Sequence, residues 1–458
     1  MLRLKGGHFV YLPRNVDAVL DAWFRDPDRK PLVLRGARQT GKSTSVRELG
    51  KSATAFVEIN LDRIEDLRLA RAAGSPSGFL EALCLRENLP ALPEGTLLFI
   101  DEIQQEPQVV PWLRYLHEDH PGIAVVAAGS LLEVRMTDRG FSFPVGRVTF
   151  RTLGPLTFPE FLRAIGKDLL ADRLLEHLRD LAPLPPAVHD QATALLSDYL
   201  FVGGMPEAVA HWCREPSLVS VRQVHRDLLQ ALAEDIQKYR GNVAAVEAAF
   251  EALPRHYGMR FKYEQFAPGR RSRDMHAAID RLEAARLVLR ALPTGSTDLP
   301  ASPKERAAPK LVPLDIGIAM TQWGLGPNDL KRSGADRMLE GRVAEAYVGQ
   351  QLACPADCQP ADLWFWVREQ PGSDAEVDYL LPQGRHLVPV EVKAGAAGRL
   401  KSLHRFLWTT HREVGLRLHA GNLSDERHVV RMPDGELNHR LLSIPLYLAA
   451  VLRERTWE

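Results

Sequence analysis

One stretch constrains this chain more than any other: Leu32-Val33-Leu34-Arg35-Gly36-Ala37-Arg38-Gln39-Thr40-Gly41-Lys42-Ser43. It reads as a short apolar strand, a glycine-bounded loop and a helix opening near Ser43. The loop fits G-x-x-x-x-G-K-[ST], in which backbone N–H groups and a helix N-terminus point at a polyphosphate. Gly36 and Gly41 permit backbone angles that a Cβ would forbid. Lys42 brings a point charge to the β- and γ-phosphates, and the Ser43 hydroxyl is a ligand for Mg²⁺. Gly36, Ala37, Arg38, Gln39, Thr40, Gly41, Lys42, Ser43 and Thr44 are therefore the expected ATP-binding residues. A plain glycine-rich turn is the alternative, and the strand before and helix after it speak against that.

The acids that such a loop needs follow at a suitable distance. Leu97-Leu98-Phe99-Ile100-Asp101-Glu102 is an apolar run ending in two carboxylates. Parallel strands buried on both faces read this way, and ligands sit at their carboxyl ends. Asp101 is placed to hold Mg²⁺, directly or through water. Glu102 is placed as general base for a water attacking the γ-phosphate. Ile123–Ala128 is a further strand ending at Gly129-Ser130. Ser130 either faces the γ-phosphate, as a sensor does, or caps the helix LLEVRM. Arg147 precedes a strand at 148–153. It is either an arginine finger or a surface residue paired with an acid.

LRGARQTGKST, LLFIDEIQ, AAGSLLE, GRVTFRTLGPLTFPEF and YLFVGGMPEAV occur in that order. As a set they resemble a large prokaryotic family of AAA-type ATPases with a C-terminal domain of uncharacterised function, over nearly the whole chain. The resemblance implies an additional-strand P-loop core that hydrolyses ATP. It puts Lys42, Ser43, Asp101 and Glu102 in Walker roles, Ser130 at sensor 1, and Arg147 at the finger. It also implies that the Gly203-Gly204 stretch closes a lid.

Beyond the core, residues 159–235 are helical by pattern. Residues 241–292 read as helix, short strand (Phe261-Lys262-Tyr263) and helix (Asp274–Arg286), which resembles a winged helix. Arg270, Arg271 and Arg273 would touch DNA phosphates at the start of its second helix. A solvated loop or a protein-docking module fits the same residues. Leu292–Pro309, rich in Pro, Ser, Thr and Ala, reads as a mobile wing or linker.

The last domain carries Asp378 and, after a turn, Glu391-Val392-Lys393. This fits D…[DE]-x-K, the pattern of restriction-endonuclease-like (PD-(D/E)XK) enzymes. The acids fall on paired apolar strands, where a charge needs a reason to be. Glu345, on a preceding helix, stands where nucleases of the RecB-like type carry an extra metal-binding acid. In that chemistry Glu345, Asp378 and Glu391 bind Mg²⁺, and Lys393 orients or activates the attacking water. Surface acids on a hairpin, or a nuclease-like fold that does not cut, are the alternatives.

The expectation is an α/β chain. Residues 1–160 form the P-loop core, 161–238 a helical lid, 239–309 a winged-helix connector with linker, and 310–458 the nuclease-like domain. With 458 residues, about three domains are expected from length alone. Lys and Arg equal Asp and Glu at 58 each, so a DNA site must be a local basic patch. Four cysteines make no disulfide framework, and no apolar run nears the ~18 residues that span a bilayer. A cytoplasmic protein is expected. Two functions compete: an ATPase controlling a Mg²⁺-dependent nuclease that acts on DNA, and an ATP-dependent switch whose C-terminal domain binds DNA or protein without cutting. An oligomer follows if Arg147 acts on a neighbour's ATP.

Overall fold

A computed structural model describes residues 11–130, 132, 144, 146–237, 239, 241–327, 329, 336–369, 374–395 and 400–457. Most of the segment LLEVRM, expected to be a helix, falls outside them.

The first unit is a five-stranded parallel sheet. Helix α1 (Asn15–Arg25) buries Val16, Leu20 and Trp23 at helical spacing. There follow β1 (Leu32–Arg35), α2 (Lys42–Gly50), β2 (Ala55–Asn60), α3 (Ile64–Ala73), α4 (Pro76–Arg86), β3 (Thr96–Asp101), α5 (Trp112–Asp119), β4 (Ala124–Gly129) and β5 (Thr149–Thr152). The strand order is β2-β3-β4-β1-β5. Thus β4 is inserted between the P-loop strand and the strand bearing Asp101, as an additional-strand core requires. Strands β3 and β4 are buried along their whole length, which explains their unbroken apolar sequence.

Five helices follow: α6 (Phe158–Ala164), α7 (Asp168–Asp180), α8 (Pro186–Val202), α9 (Pro206–Arg214) and α10 (Leu218–Ile236). Then come α11 (Val243–His256) and α12 (Ser272–Ala284). The expected strand at 261–263 does not form. Tyr263–Gln265 is a 3₁₀ turn, and the rings of Phe261 and Phe266 pack edge to face, 5.1 Å apart, in a cluster with His256. A strand would have sent alternate rings to opposite faces.

The last unit is an eight-stranded mixed sheet. It contains β6 (Val288–Thr294), β7 (Lys310–Pro313), β8 (Leu363–Arg368), β9 (Ala375–Gln383), β10 (His386–Val392), β11 (Val414–His419), β12 (Ser424–Met432) and β13 (Gly435–Pro445). The order is β12-β13-β11-β10-β9-β8-β6-β7. Helices α13 (Ile316–Gln322), α14 (Asp336–Leu352) and α15 (Lys401–Thr410) complete it. The stretch expected as a mobile wing or linker is the connection of the β6–β7 hairpin, held at several points. Leu299 N–H donates to Arg385 O at 2.7 Å, and Lys304 N–H to Pro293 O at 2.8 Å. Because β6 pairs with β8, a boundary at residue 309 would run through one sheet.

A buried polar knot joins the units. Tyr199 on α8 donates its hydroxyl proton to Leu156 O at 2.5 Å and accepts from the side chains of Gln350 and Gln351 on α14, at 3.2 and 3.1 Å. Asp315 accepts from Gly204 N–H at 2.6 Å and Ile318 N–H at 3.0 Å. A Cβ on Gly203 would stand 2.1 Å from Asp315 Oδ1, and one on Gly204 2.0 Å from Leu156 O. The glycine pair therefore serves close approach between units. Among the described residues no helix is long and apolar enough to cross a membrane.

Candidate nucleotide site and a second carboxylate cluster

The chain leaves β1 at Arg35 and turns at Gly36, where φ is +149° and a Cβ would lie 2.2 Å from Leu153 O. Gly41, at φ +97°, caps α2. Only glycine takes both positions without strain. The loop is braced from below. Thr40 Oγ1 donates to Ala37 O at 2.9 Å, and Arg14 donates to Thr40 O at 2.9 Å and Gly154 O at 2.8 Å. Arg14 also pairs with Glu160 on α6 at 3.0 Å, both side chains only 4% exposed.

Lys42 donates to Gly36 O at 3.0 Å and Ala37 O at 2.7 Å, so its ammonium lies across its own loop. Ser43 Oγ donates to Asp101 Oδ2 at 2.7 Å. Glu102 follows β3 in a left-handed conformation, φ +51°. Its carboxylate accepts from the Gln104 side-chain amide and, at 3.4 Å, from Ser130 Oγ. Burial raises the pKa of both Asp101 and Glu102, against the pull of Ser43 and Gln104 respectively, and of Lys42. A base whose pKa is raised accepts a proton more readily. Lys42, Ser43, Asp101 and Glu102 border a cavity of about 820 Å³, a size suited to a small-molecule ligand. A larger cleft, about 1090 Å³, lies along α1 and β5 and includes none of residues 36–44. Ser43 and Asp101, a hydroxyl and a carboxylate already in contact, are the oxygen donors a Mg²⁺-nucleotide needs.

Two loop contacts were not legible in the motif. Arg14 has no motif around it. Arg38 pairs with Asp235 on α10, linking the phosphate loop to the helical segment. Arg147 does not join its own chain's site. Thr149 stands beside Leu32 and Thr152 beside Arg35, so Arg147 lies at the amino end of β5, opposite the P-loop. There it pairs with Glu118 at 3.2 Å, half exposed.

The second cluster is in the C-terminal sheet. Strands β9 and β10 are antiparallel, with Val390 opposite Tyr379, which brings Asp378 and Glu391 together. Asp378 Oδ2 accepts from Val392 N–H at 2.8 Å, and Lys393 donates to Glu391 Oε1 at 2.6 Å. Glu345, on α14, joins them through a residue absent from every expectation. Lys310, on β7, stands 3.0 Å from Glu345, 2.6 Å from Glu376 and 3.4 Å from Asp378. Burial pushes the Lys310 pKa down, but Glu345, Asp378 and Glu376 outweigh it and hold the ammonium charged. Burial, then Asp378, raises both Glu345 and Glu391. Among the described residues, no group of three or more His, Cys, Asp or Glu is placed to hold a metal ion. The expected ligands Glu345, Asp378 and Glu391 thus lie near one another, with a lysine among them.

The family model of an AAA domain matches residues 28–162. Two domains of unknown function match residues 193–329 (DUF8612) and 340–438 (DUF4143). No curated protein matches the chain. Among solved structures, a Walker-type ATPase of Pyrococcus abyssi is similar at 13% identity and a TM-score of 0.42, over 67% of this chain and 94% of that one. PCH-2 of C. elegans is similar at 10% identity and a TM-score of 0.28, over 44% of this chain and 61% of that one. Both likenesses are too remote to assign residue roles. The family match and the loop geometry agree: residues 28–162 are an AAA-type P-loop ATPase domain.

Proposed function

We propose that the protein is a cytoplasmic ATP-hydrolysing switch whose nucleotide state is passed through a helical lid, residues 161–238, to a C-terminal restriction-endonuclease-like domain that engages DNA. The observation that carries this reading is the convergence of Lys42, Ser43, Asp101 and Glu102 on one cavity, with Ser130 behind Glu102 and Arg38 of the same loop tied to Asp235 in the lid. ATP would draw Lys42 off the Gly36 and Ala37 carbonyls towards its phosphates. Mg²⁺, held by Ser43 and Asp101, would neutralise phosphate charge. Glu102 would take the proton of the attacking water, with Ser130 and Gln104 fixing its carboxylate. Charge arriving beside Arg38 competes with Asp235 for the guanidinium, which frees the lid. Arg270, Arg271 and Arg273, all exposed at the start of α12, suit phosphate contacts in a winged-helix connector. Arg147 would reach ATP only in a neighbouring copy.

Phosphate release by the full chain, with and without duplex DNA, tests this reading. Hydrolysis that is lost in Lys42→Ala, and DNA binding that changes between ATP and ADP, are expected. DNA binding indifferent to nucleotide would overturn the switch. The meeting of Asp378, Glu391 and Lys393 favours a second reading, a Mg²⁺-dependent nuclease. Cleavage of linear, circular or single-stranded DNA, absent in Lys393→Ala, would establish it.

A further inference from the structure

Four carboxylates, Glu345, Glu376, Asp378 and Glu391, crowd the end of the β9–β10 pair. Like charges at such spacing cannot all ionise in a buried place without a cation. Nuclease chemistry would supply a divalent metal. In this chain a cation is already present and is covalently attached. The Lys310 side chain is 3% exposed and meets three of the four acids. Its position is fixed twice over: its backbone is laddered to Ala291 of β6, and its ammonium lies 5.1 Å from the centre of the Phe365 ring. The remaining acid, Glu391, has Lys393. Most of the oxygens a metal would bind are thereby engaged: Glu345 Oε2 and Asp378 Oδ1 by Lys310, Asp378 Oδ2 by Val392 N–H, and Glu391 Oε1 by Lys393, while Glu391 Oε2 is buried with no hydrogen-bond partner.

We propose that Lys310 is a resident counter-cation that stands in place of a divalent metal in the C-terminal cleft, so that this domain works metal-free and without cutting. The inference rests on reading the domain as nuclease-like. It favours the switch over the nuclease. A strand residue is suited to the task because the β6–β7 ladder keeps the charge where the acids need it, whereas a metal comes and goes with its concentration.

The test is Mn²⁺ titration of the nucleotide-free full chain, followed by electron paramagnetic resonance, in an Asp101→Ala background that removes the P-loop ligand. The unaltered cleft should take up no Mn²⁺, and Asp378→Asn should change nothing. Lys310→Met, close in volume but uncharged, should gain one Mn²⁺ site per chain, and lose it when Asp378→Asn is added. Should Lys310→Met fold poorly, Mn²⁺ should raise its melting temperature while leaving the parent's unchanged. Stoichiometric Mn²⁺ in the Lys310-containing cleft, removed by Asp378→Asn, would overturn the proposal. So would a folded Lys310→Met that binds no Mn²⁺, since the acids would then never have been a metal site. DNA retention in EDTA is measured alongside. Its absence, with the Mn²⁺ results as expected, would sink the DNA reading and leave the role of Lys310 standing.

Discussion

The molecule holds two carboxylate clusters at strand ends, each with a lysine, and they are built for opposite ends. At Asp101 and Glu102 the acids border a cavity, and Lys42 comes from a loop, resting on two carbonyls it can leave. At Asp378 and its neighbours the lysine comes from a strand, is buried, and fills the space between the acids. The residue types are the same in both places. What differs is whether the cation is free to move, and that separates a site awaiting a ligand from one already neutralised.

The largest effects should come from the open cluster. Glu102→Gln should slow ATP hydrolysis about 10²–10⁴-fold while leaving ATP bound, read by phosphate release and by nucleotide retention. Turnover at the parental rate would mean that Glu102 is not the base. Lys310→Met should leave that rate within twofold, and a large loss would erase the distinction between the clusters. Arg14→Ala strands Glu160 in a buried place and should cost about 3–5 kcal/mol, seen as a lower midpoint in denaturant. Stability should also respond to pH through the closed cluster. Glu345 and Glu391 are raised from 4.5 to about 7 and about 8. The folded chain therefore keeps protons that the unfolded chain releases, and stability falls as pH rises from about 4.5 through those values. Replacing Glu391 by Gln should flatten that slope. Arg38→Ala removes a partly exposed pair and should change stability by less than about 1 kcal/mol. Its effect should appear instead as weaker coupling between nucleotide and DNA binding.

The open cluster was legible because its loop is contiguous. Gly36 to Ser43 carry their chemistry at fixed spacing, and Asp101-Glu102 end an apolar run that only a buried parallel strand explains. The closed cluster is assembled from β7, α14, β9 and β10, and nothing around Lys310 in the sequence marks it as the partner of Glu345, Glu376 and Asp378. Arg147 lies next to a correctly expected strand, but its distance from the P-loop depends on strand direction, which local sequence does not encode. Phe261 and Tyr263 have strand propensity, yet ring packing with Phe266 prevailed. The Pro- and Ser-rich 292–309 stretch reads as a linker by composition, although Leu292 pairs with Trp364, a contact far away in sequence.

That pairing decides how the chain can be divided. A fragment begun at residue 310 would lose β6 and strip one edge of β8, whose sequence is Leu363-Trp364-Phe365-Trp366-Val367-Arg368. Five of these six residues are buried apolar side chains, and their freed N–H and C=O groups would offer a flat, sticky template to other copies. Such a fragment should precipitate. The smallest C-terminal piece that keeps β8 covered starts before Val288, where β6 begins.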